Sequence, residues 1–275
     1  IRFDEKDFDE SQYQDEAIKY FKTVHKSIIC NSDKIANKFP DVVWHSETPM
    51  TRTAAAPMMF LSELVHENNI KVVITGEGAD EMIAGYNIFK ENEVRRFWSR
   101  EPESKYRPLL LTKLYPYLPQ MKNANPKVLK MFFGYKLEDT SNPYYSHLLR
   151  WNNGRQITRF LTPEVLNQNI GYDPLSEINR ILPDDFNSWD SLSQAQWIEI
   201  TVFMSGYLLS TQGDRMAMAN SVEGRYPFLD YRLIEFLSTV PSNLKLKGLK
   251  EKYLLKRLVK NKIPESILNR AKQPY

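Results

Sequence analysis

The order of apolar and polar positions divides the chain into three stretches of different character. Apolar residues recur at four-residue spacing at Tyr13, Ala17 and Phe21, which predicts a helix from Ser11 to Val24. His25 to Cys30 reads as a strand. Ser32 to Phe39 reads as a short helix that ends at Pro40, because an internal proline removes a helix hydrogen bond. Thr53 to Asn69 predicts another helix, with Pro57 tolerated near its start. Lys71 to Thr75 is apolar and mostly β-branched, the pattern of a strand buried on both faces. A helix is expected from about Ala79. Strand and helix thus alternate, the mark of a parallel sheet.

From Asn87 to Ser191 the pattern changes. Tyr, Trp, Leu and Pro are frequent and strand signals weak, so short packed helices broken by prolines are expected, as around Phe97-Trp98 and Leu109 to Tyr117. Leu192 to Asn220 carries one long helical pattern without proline. A helix is predicted over Leu229 to Val240, and a basic amphipathic helix over Gly248 to Lys262, with Tyr253, Leu254, Leu258 and Val259 on its apolar side. The expected architecture is α/β: one domain over residues 1–275, with an α/β part to about residue 95 and a mainly helical part from about 96.

Composition narrows the function. The chain has 275 residues and a net charge of +3, too small to argue for nucleic acid. Its single cysteine, Cys30, excludes an intrachain disulfide framework and fits a reducing, cytoplasmic setting. Cys30 sits in an apolar run and reads as a packed core thiol. No apolar run is long enough to span a membrane. The acidic amino end is no signal peptide and lacks a starting methionine, so the chain reads as a fragment.

Three segments carry candidate chemistry. After the predicted strand comes Gly76-Glu-Gly-Ala-Asp-Glu81, where Gly76 and Gly78 allow a tight turn and close approach to a ligand. Glu77, Asp80 and Glu81 crowd together at the end of the strand where open α/β sheets bind ligands, which suggests a cation such as magnesium with a nucleotide. An ordinary acidic loop ahead of a helix is the plain alternative. Further on, Asp214-Arg215 precedes a Met-Ala run, and Glu223 and Arg225 precede Tyr226-Pro-Phe-Leu-Asp230. Charges in apolar sequence are costly unless paired, so an internal salt bridge tying this loop to the long helix is one reading. Third, a lysine of Lys250-Glu-Lys-Tyr-Leu-Leu-Lys256 could deliver charge to phosphate oxygens, although a lysine-rich helix face is most often solvated surface.

Together these segments resemble the synthetase half of the glutamine-dependent asparagine synthetase family. The match runs through Gly76 to Glu81 with Ala84-Gly-Tyr86, Asp214 to Ala219, Glu223 to Asp230, Lys252 to Lys256 and Arg270-Ala-Lys-Gln273, with Pro40 to His45 resembling the segment ahead of the family's substrate loop. It covers nearly the whole chain and is weakest in the middle third. The resemblance implies a parallel-sheet ATP-pyrophosphatase (adenine nucleotide alpha hydrolase-like) fold with a large helical portion. It implies that ATP activates a carboxylate as an acyl-adenylate, magnesium pyrophosphate leaves, and ammonia attacks to give an amide, asparagine or a related one. In that scheme Asp80 holds magnesium, and Lys252 stabilises charge in the transition state. Glu77 lies beside the acyl-adenylate and accepts a proton from ammonia. Gly76 and Gly78 let the backbone approach the nucleotide. Asp214, Arg215 and Arg52 face the substrate end of the cleft.

Two departures from the family pattern stand out. The Ser-Gly-Gly-x-Asp-Ser pyrophosphate loop is absent and is expected upstream of Ile1, because Phe8-Asp-Glu resembles the segment after the family's second strand. There is no N-terminal cysteine nucleophile or glutaminase domain. The chain alone is therefore expected to be inactive, to leave a sheet edge open, and to depend on a glutaminase domain or a partner chain that carries the loop. Thr48 to Pro57 lies where relatives shape the acid pocket, so the acid stays open, as does assembly into a homo-oligomer. The rival reading is a non-catalytic partner or scaffold fragment.

Overall fold

The computed structural model describes residues 1–5, 9–50, 52–118, 121 and 123–270. Phe8 of the Phe8-Asp-Glu match, Thr51 and the motif residues Ala271 to Gln273 lie outside the described residues. The chain divides into two compact units, Ile1–Gly85 with Glu199–Tyr275, and Tyr86–Ile198.

The first unit holds two short parallel ladders. β1 (Arg2–Phe3) pairs with β2 (Ile29–Cys30), joined by α1 (Ser11–Phe21). Lys22 takes the left-handed conformation (φ 53°) directly after α1, which stops it short of the predicted Val24. α2 (Ser32–Ser46) starts where the Asn31 side chain accepts the Lys34 N–H at 2.9 Å, the usual way to satisfy a first-turn donor. It runs through Pro40 instead of ending there. Pro40 and Ala36, whose carbonyl the proline leaves without a helix partner, are both exposed, so water can meet the lost bond. The opposite face buries Val42 completely and packs Ile35 and Phe39 against Ala55, Ala56 and Met59 of α3 (Ala55–Glu67). Pro57 is the third residue of α3, where no intrahelical acceptor is available, as predicted.

β3 (Val72–Ile74) pairs in parallel with β4 (Glu223–Arg225), Val72 opposite Glu223 and Ile74 opposite Arg225. The parallel pairing was expected; burial on both faces was not met. Val72 and Ile74 share one face by the two-residue period of a strand, and Ile74 is 75% exposed. The predicted long helical stretch divides by winding: an α-helix over Ser191–Ile198 in the second unit, and in the first a π-helix over Glu199–Asp214 followed by an α-helix over Arg215–Met218. Thr201, Val202, Gly206, Thr211 and Gly213, all weak α-formers, lie within the π segment.

The second unit contains helices and turns among its described residues. α5 (Asn87–Ser99) buries Arg95, whose Nε donates to Phe133 O (3.0 Å), Nη1 to Tyr145 O (3.1 Å) and Nη2 to Tyr135 O (2.6 Å). Tyr144, Leu148, Phe186 and Ile198 form its apolar centre. Among the described residues no helix is long and apolar enough to cross a membrane.

Candidate active site

The carboxyl ends of β3 and β4 feed two turns that pack on one another. Glu223 N–H donates to Lys71 O (2.8 Å) and Thr75 N–H to Arg225 O (3.0 Å), so the ladder holds to its last residue. β3 then enters Gly76-Glu77-Gly78 and the short helix α4 (Ala79–Met82). Gly78 has a left-handed φ of 88°, and a Cβ there would fall 2.3 Å from Leu229 Cδ2, so this turn requires glycine. Gly76 has no such conformation. It faces open space, so its use lies in room beside the backbone and not in the turn.

Apolar packing sets the distance between the acidic turn and the lysine. Met82 and Ile83 bury in one cluster with Met204, Leu237 and Val240, against which Leu254 and Leu255 pack. Each such side chain stabilises by roughly 1.5–3 kcal/mol when fully buried. That cluster joins α4 to the helix Tyr253–Leu258, and Lys252 Nζ reaches Asp80 Oδ1 at 2.9 Å. Both side chains are largely covered, Lys252 22% and Asp80 16% exposed. The predicted amphipathic helix over Gly248 to Lys262 is corrected: only Tyr253–Leu258 is helical. Gly248 (φ 59°) turns the chain between Lys247 and Lys250, and Lys252 itself is left-handed (φ 50°), so it sits ahead of the helix and not on its face. Gly85 closes the arrangement. Its N–H donates to Asp80 O at 2.7 Å, and a Cβ would lie 1.9 Å from Asp80 Oδ1 and 2.3 Å from Lys252 Cε.

The expected gathering of three carboxylates does not occur. Asp80 turns to Lys252, Glu81 is buried, and the charge of Glu77 acts on Tyr226. Among the described residues no group of three or more His, Cys, Asp or Glu side chains could hold a metal. Asp80 and Glu81 are consecutive on α4 and so point in different directions, while Glu77 lies ahead of the helix in the glycine turn.

Tyr226, at the end of β4, donates to Asp214 Oδ1 at 2.7 Å. Burial pushes its phenol well above the usual tyrosine range, reinforced by the Asp214 hydrogen bond and charge and by Glu77, so it remains protonated. A Cβ on Gly224 would lie 2.4 Å from the Tyr226 hydroxyl, so glycine at that strand position leaves room for the ring. Sequence reasoning missed Tyr226, Gly85 and Gly224. Their signal was present, an aromatic directly after a strand and small residues beside charged ones. The expected bridge from Glu223 or Arg225 to the long helix is also corrected. The two side chains, two residues apart on one strand face, pair with each other at 2.7 Å and are exposed.

Asp214 and Arg215 are placed by the junction of the π-helix with Arg215–Met218. Ser62 of α3 donates to Met216 O at 2.7 Å, and Asn220 donates to Ser62 Oγ at 2.8 Å, which fixes that junction. Among the described residues Arg215 Nη1 and Thr75 Oγ1 are buried without a hydrogen-bond partner, a costly condition that a ligand or water can relieve.

Arg52 lies three residues ahead of the start of α3. Its guanidinium lies 5.2 Å from the Phe203 ring and 5.7 Å from Tyr207, which stack on the π-helix at 5.4 Å. With Gln212 it lines a cavity of about 880 Å³. That cavity opens past the carboxyl ends of β1 and β2, between Asp4 and Asn31, over a floor of Phe39 and Met58. Glu77, Asp80, Lys252, Asp214 and Arg215 do not line it.

The family model described as Asparagine synthase matches residues 1–275. Similar proteins include Amidase chyE of Penicillium rubens, 32% identical over 262 residues, covering 89% of this chain and 38% of that protein. Asparagine synthetase [glutamine-hydrolyzing] 1 of Bacillus subtilis is 27% identical over 275 residues, 99% of this chain and 41% of that protein. Amidase chry2 of Gibberella zeae is 26% identical over 264 residues, 89% and 38% respectively. The chain spans about two-fifths of the length of these relatives.

Proposed function

The chain belongs to the asparagine synthase family, and from that premise we propose that it forms the synthetase part of an ATP-dependent, amide-forming ligase. In this reading its fold is of the ATP-pyrophosphatase type. A carboxylate oxygen of a small acid attacks the α-phosphorus of ATP, the bond to the bridging oxygen breaks, and pyrophosphate leaves. Ammonia nitrogen then attacks the acyl carbon, and AMP departs with the electron pair of the acyl–oxygen bond.

The residues divide the work. Lys252 presents its ammonium where charge develops on the phosphate oxygens, and Arg215 Nη1 and Thr75 Oγ1 supply donors that the protein leaves unused. Glu77 accepts a proton from the attacking ammonia. Tyr226 keeps its proton and holds the Asp214 carboxylate at the substrate end. Gly76 leaves room beside the strand end for the nucleotide. Magnesium is commonly held by one or two carboxylates together with substrate phosphates, and the one carboxylate paired with Lys252, Asp80, suits that need. The ion supplies neutralising charge to the pyrophosphate. The cavity past the carboxyl ends of β1 and β2 takes the adenosine, being within the ~300–1,000 Å³ usual for ligand sites. Arg52 stands at its border.

A glutaminase domain or partner chain carrying the Ser-Gly-Gly-x-Asp-Ser loop, and a cytoplasmic location, are parts of the same proposal. The observation that carries it is the Asp80–Lys252 pair beside the β3 turn, residues 172 apart in sequence (252 − 80 = 172) that meet at 2.9 Å. The test is release of pyrophosphate and AMP by the native protein given ATP, magnesium, ammonia and a panel of carboxylic acids. One pyrophosphate per amide is expected. The names of two relatives favour a second reading, amide hydrolysis. Amide cleavage without ATP would establish it in place of the first. Neither activity, with no magnesium-ATP binding by calorimetry, would leave the scaffold reading.

A further inference from the structure

The unit Tyr86–Ile198 holds a polar cavity that the proposed reaction does not use. It measures about 440 Å³ and is lined by Arg96, Ser141, Asn187, Trp189 and Gln194 among others. Arg96 is its one charged lining residue.

Arg96 is held in place by neutral groups. Its Nε donates to Asn92 Oδ1 at 3.2 Å, its Nη1 donates to Thr140 O at 3.1 Å, and its guanidinium carbon lies 4.9 Å from the Tyr145 ring centre. Among the described residues Nη2 meets no acceptor, and no carboxylate comes within ion-pair distance. Glu93 acts on it only at longer range, and accepts the Ser191 hydroxyl at 2.9 Å. Burial pushes the guanidinium below the usual arginine value, yet an arginine stays charged. The neighbouring Arg95 shows the contrast, since each of its three nitrogens donates to a backbone carbonyl. A partly buried cation whose counter-charge, Glu93, stands only at longer range is unfavourable, and an anion entering the cavity relieves it.

We propose that this cavity binds an oxyanion, the carboxylate or phosphate of a small polar metabolite, with Arg96 as its charged anchor and the Ser141 hydroxyl and Asn187 amide as its rim. Arginine suits this task because its planar fork meets two oxygens at once. The cavity lies in a different unit from Asp80 and Lys252, so the inference does not depend on the proposed reaction.

Calorimetric titration of the full chain with inorganic phosphate, and separately with acetate, tests this at matched ionic strength in sodium chloride. Saturable binding of at least one is expected, and whichever binds more tightly identifies the anion class. Arg96→Gln and Asn187→Asp should each weaken it at least about tenfold, the worth of one charge-assisted hydrogen bond. Asn187→Asp leaves the groups that hold Arg96 untouched, so it answers even where Arg96→Gln does not fold. No saturable binding of either anion, or binding that Asn187→Asp leaves unchanged, overturns the proposal.

Discussion

Arg95 and Lys252 each bring a cation under cover, and they are satisfied in opposite ways. Arg95 is 1% exposed, and its nitrogens donate to the carbonyls of Phe133, Tyr145 and Tyr135 while its guanidinium lies over the Tyr145 ring. Such a cation holds the chain around it and has nothing left to offer a ligand. At the carboxyl end of β3 the arrangement is open. Lys252 meets Asp80 in an ion pair, and among the described residues the buried Thr75 Oγ1 and Arg215 Nη1 have no hydrogen-bond partner. Buried polar groups are normally satisfied, so groups left over in one neighbourhood mark where something else binds. Under the proposed function, the difference separates a charge that builds the fold from charges that meet the substrate.

Four substitutions probe this contrast. Arg95→Met leaves several buried carbonyls without a donor and should cost about 3–5 kcal/mol in urea unfolding. A cost below ~1 kcal/mol would remove the structural half of the comparison. Gly85→Ala drives a methyl into Asp80 and Lys252, and overpacking of this kind costs about 1–3 kcal/mol. Here turnover should fall further than stability does, because the pair itself is displaced; equal losses would make Gly85 a packing residue only.

Tyr226→Phe removes one hydrogen bond to Asp214, about 0.5–1.5 kcal/mol. Its pH dependence is the sharper readout. The Tyr226 phenol is raised in the folded protein, so the stability it contributes is fully present below the ordinary tyrosine value of about 10 and is lost as pH rises above it. Melting temperatures between about pH 8 and 11 should therefore fall less steeply in Tyr226→Phe than in the unsubstituted protein. Identical slopes would remove Tyr226 as a titrating group. The smallest effect is expected of Glu223→Gln. Its exposed pair with Arg225 should change stability by no more than ~0.5 kcal/mol, and a larger loss would mean that the strand pair depends on that bridge.

The elements nearest the site were legible because local rules decided them. β-branched residues followed by Gly76 and Gly78 announced a strand and a turn, and the left-handed Gly78 bears out the turn. Other features depended on tertiary contacts. Nothing local in Lys250 to Lys256 says that Lys252 adopts φ 50° ahead of the helix; that follows from the Gly248 turn and from the packing of Leu254 and Leu255. Pro40 stays inside α2 because its outer face is wet while Val42 is buried opposite it. Clustering of Glu77, Asp80 and Glu81 in sequence did not become clustering in space, since Glu77 stays in the turn ahead of α4 and Asp80 and Glu81 are consecutive on it. The Arg96 cavity had no sequence signal, being assembled from residues nearly a hundred positions apart.

In the proposed reaction Asp80 and Lys252 stand at the place of phosphate departure. Pyrophosphate release by the native protein carrying Lys252→Met, at a stability matched to the unsubstituted protein, tests this directly. A drop of about 10²–10³-fold with folding intact is predicted. Full turnover in that variant would contradict the assignment.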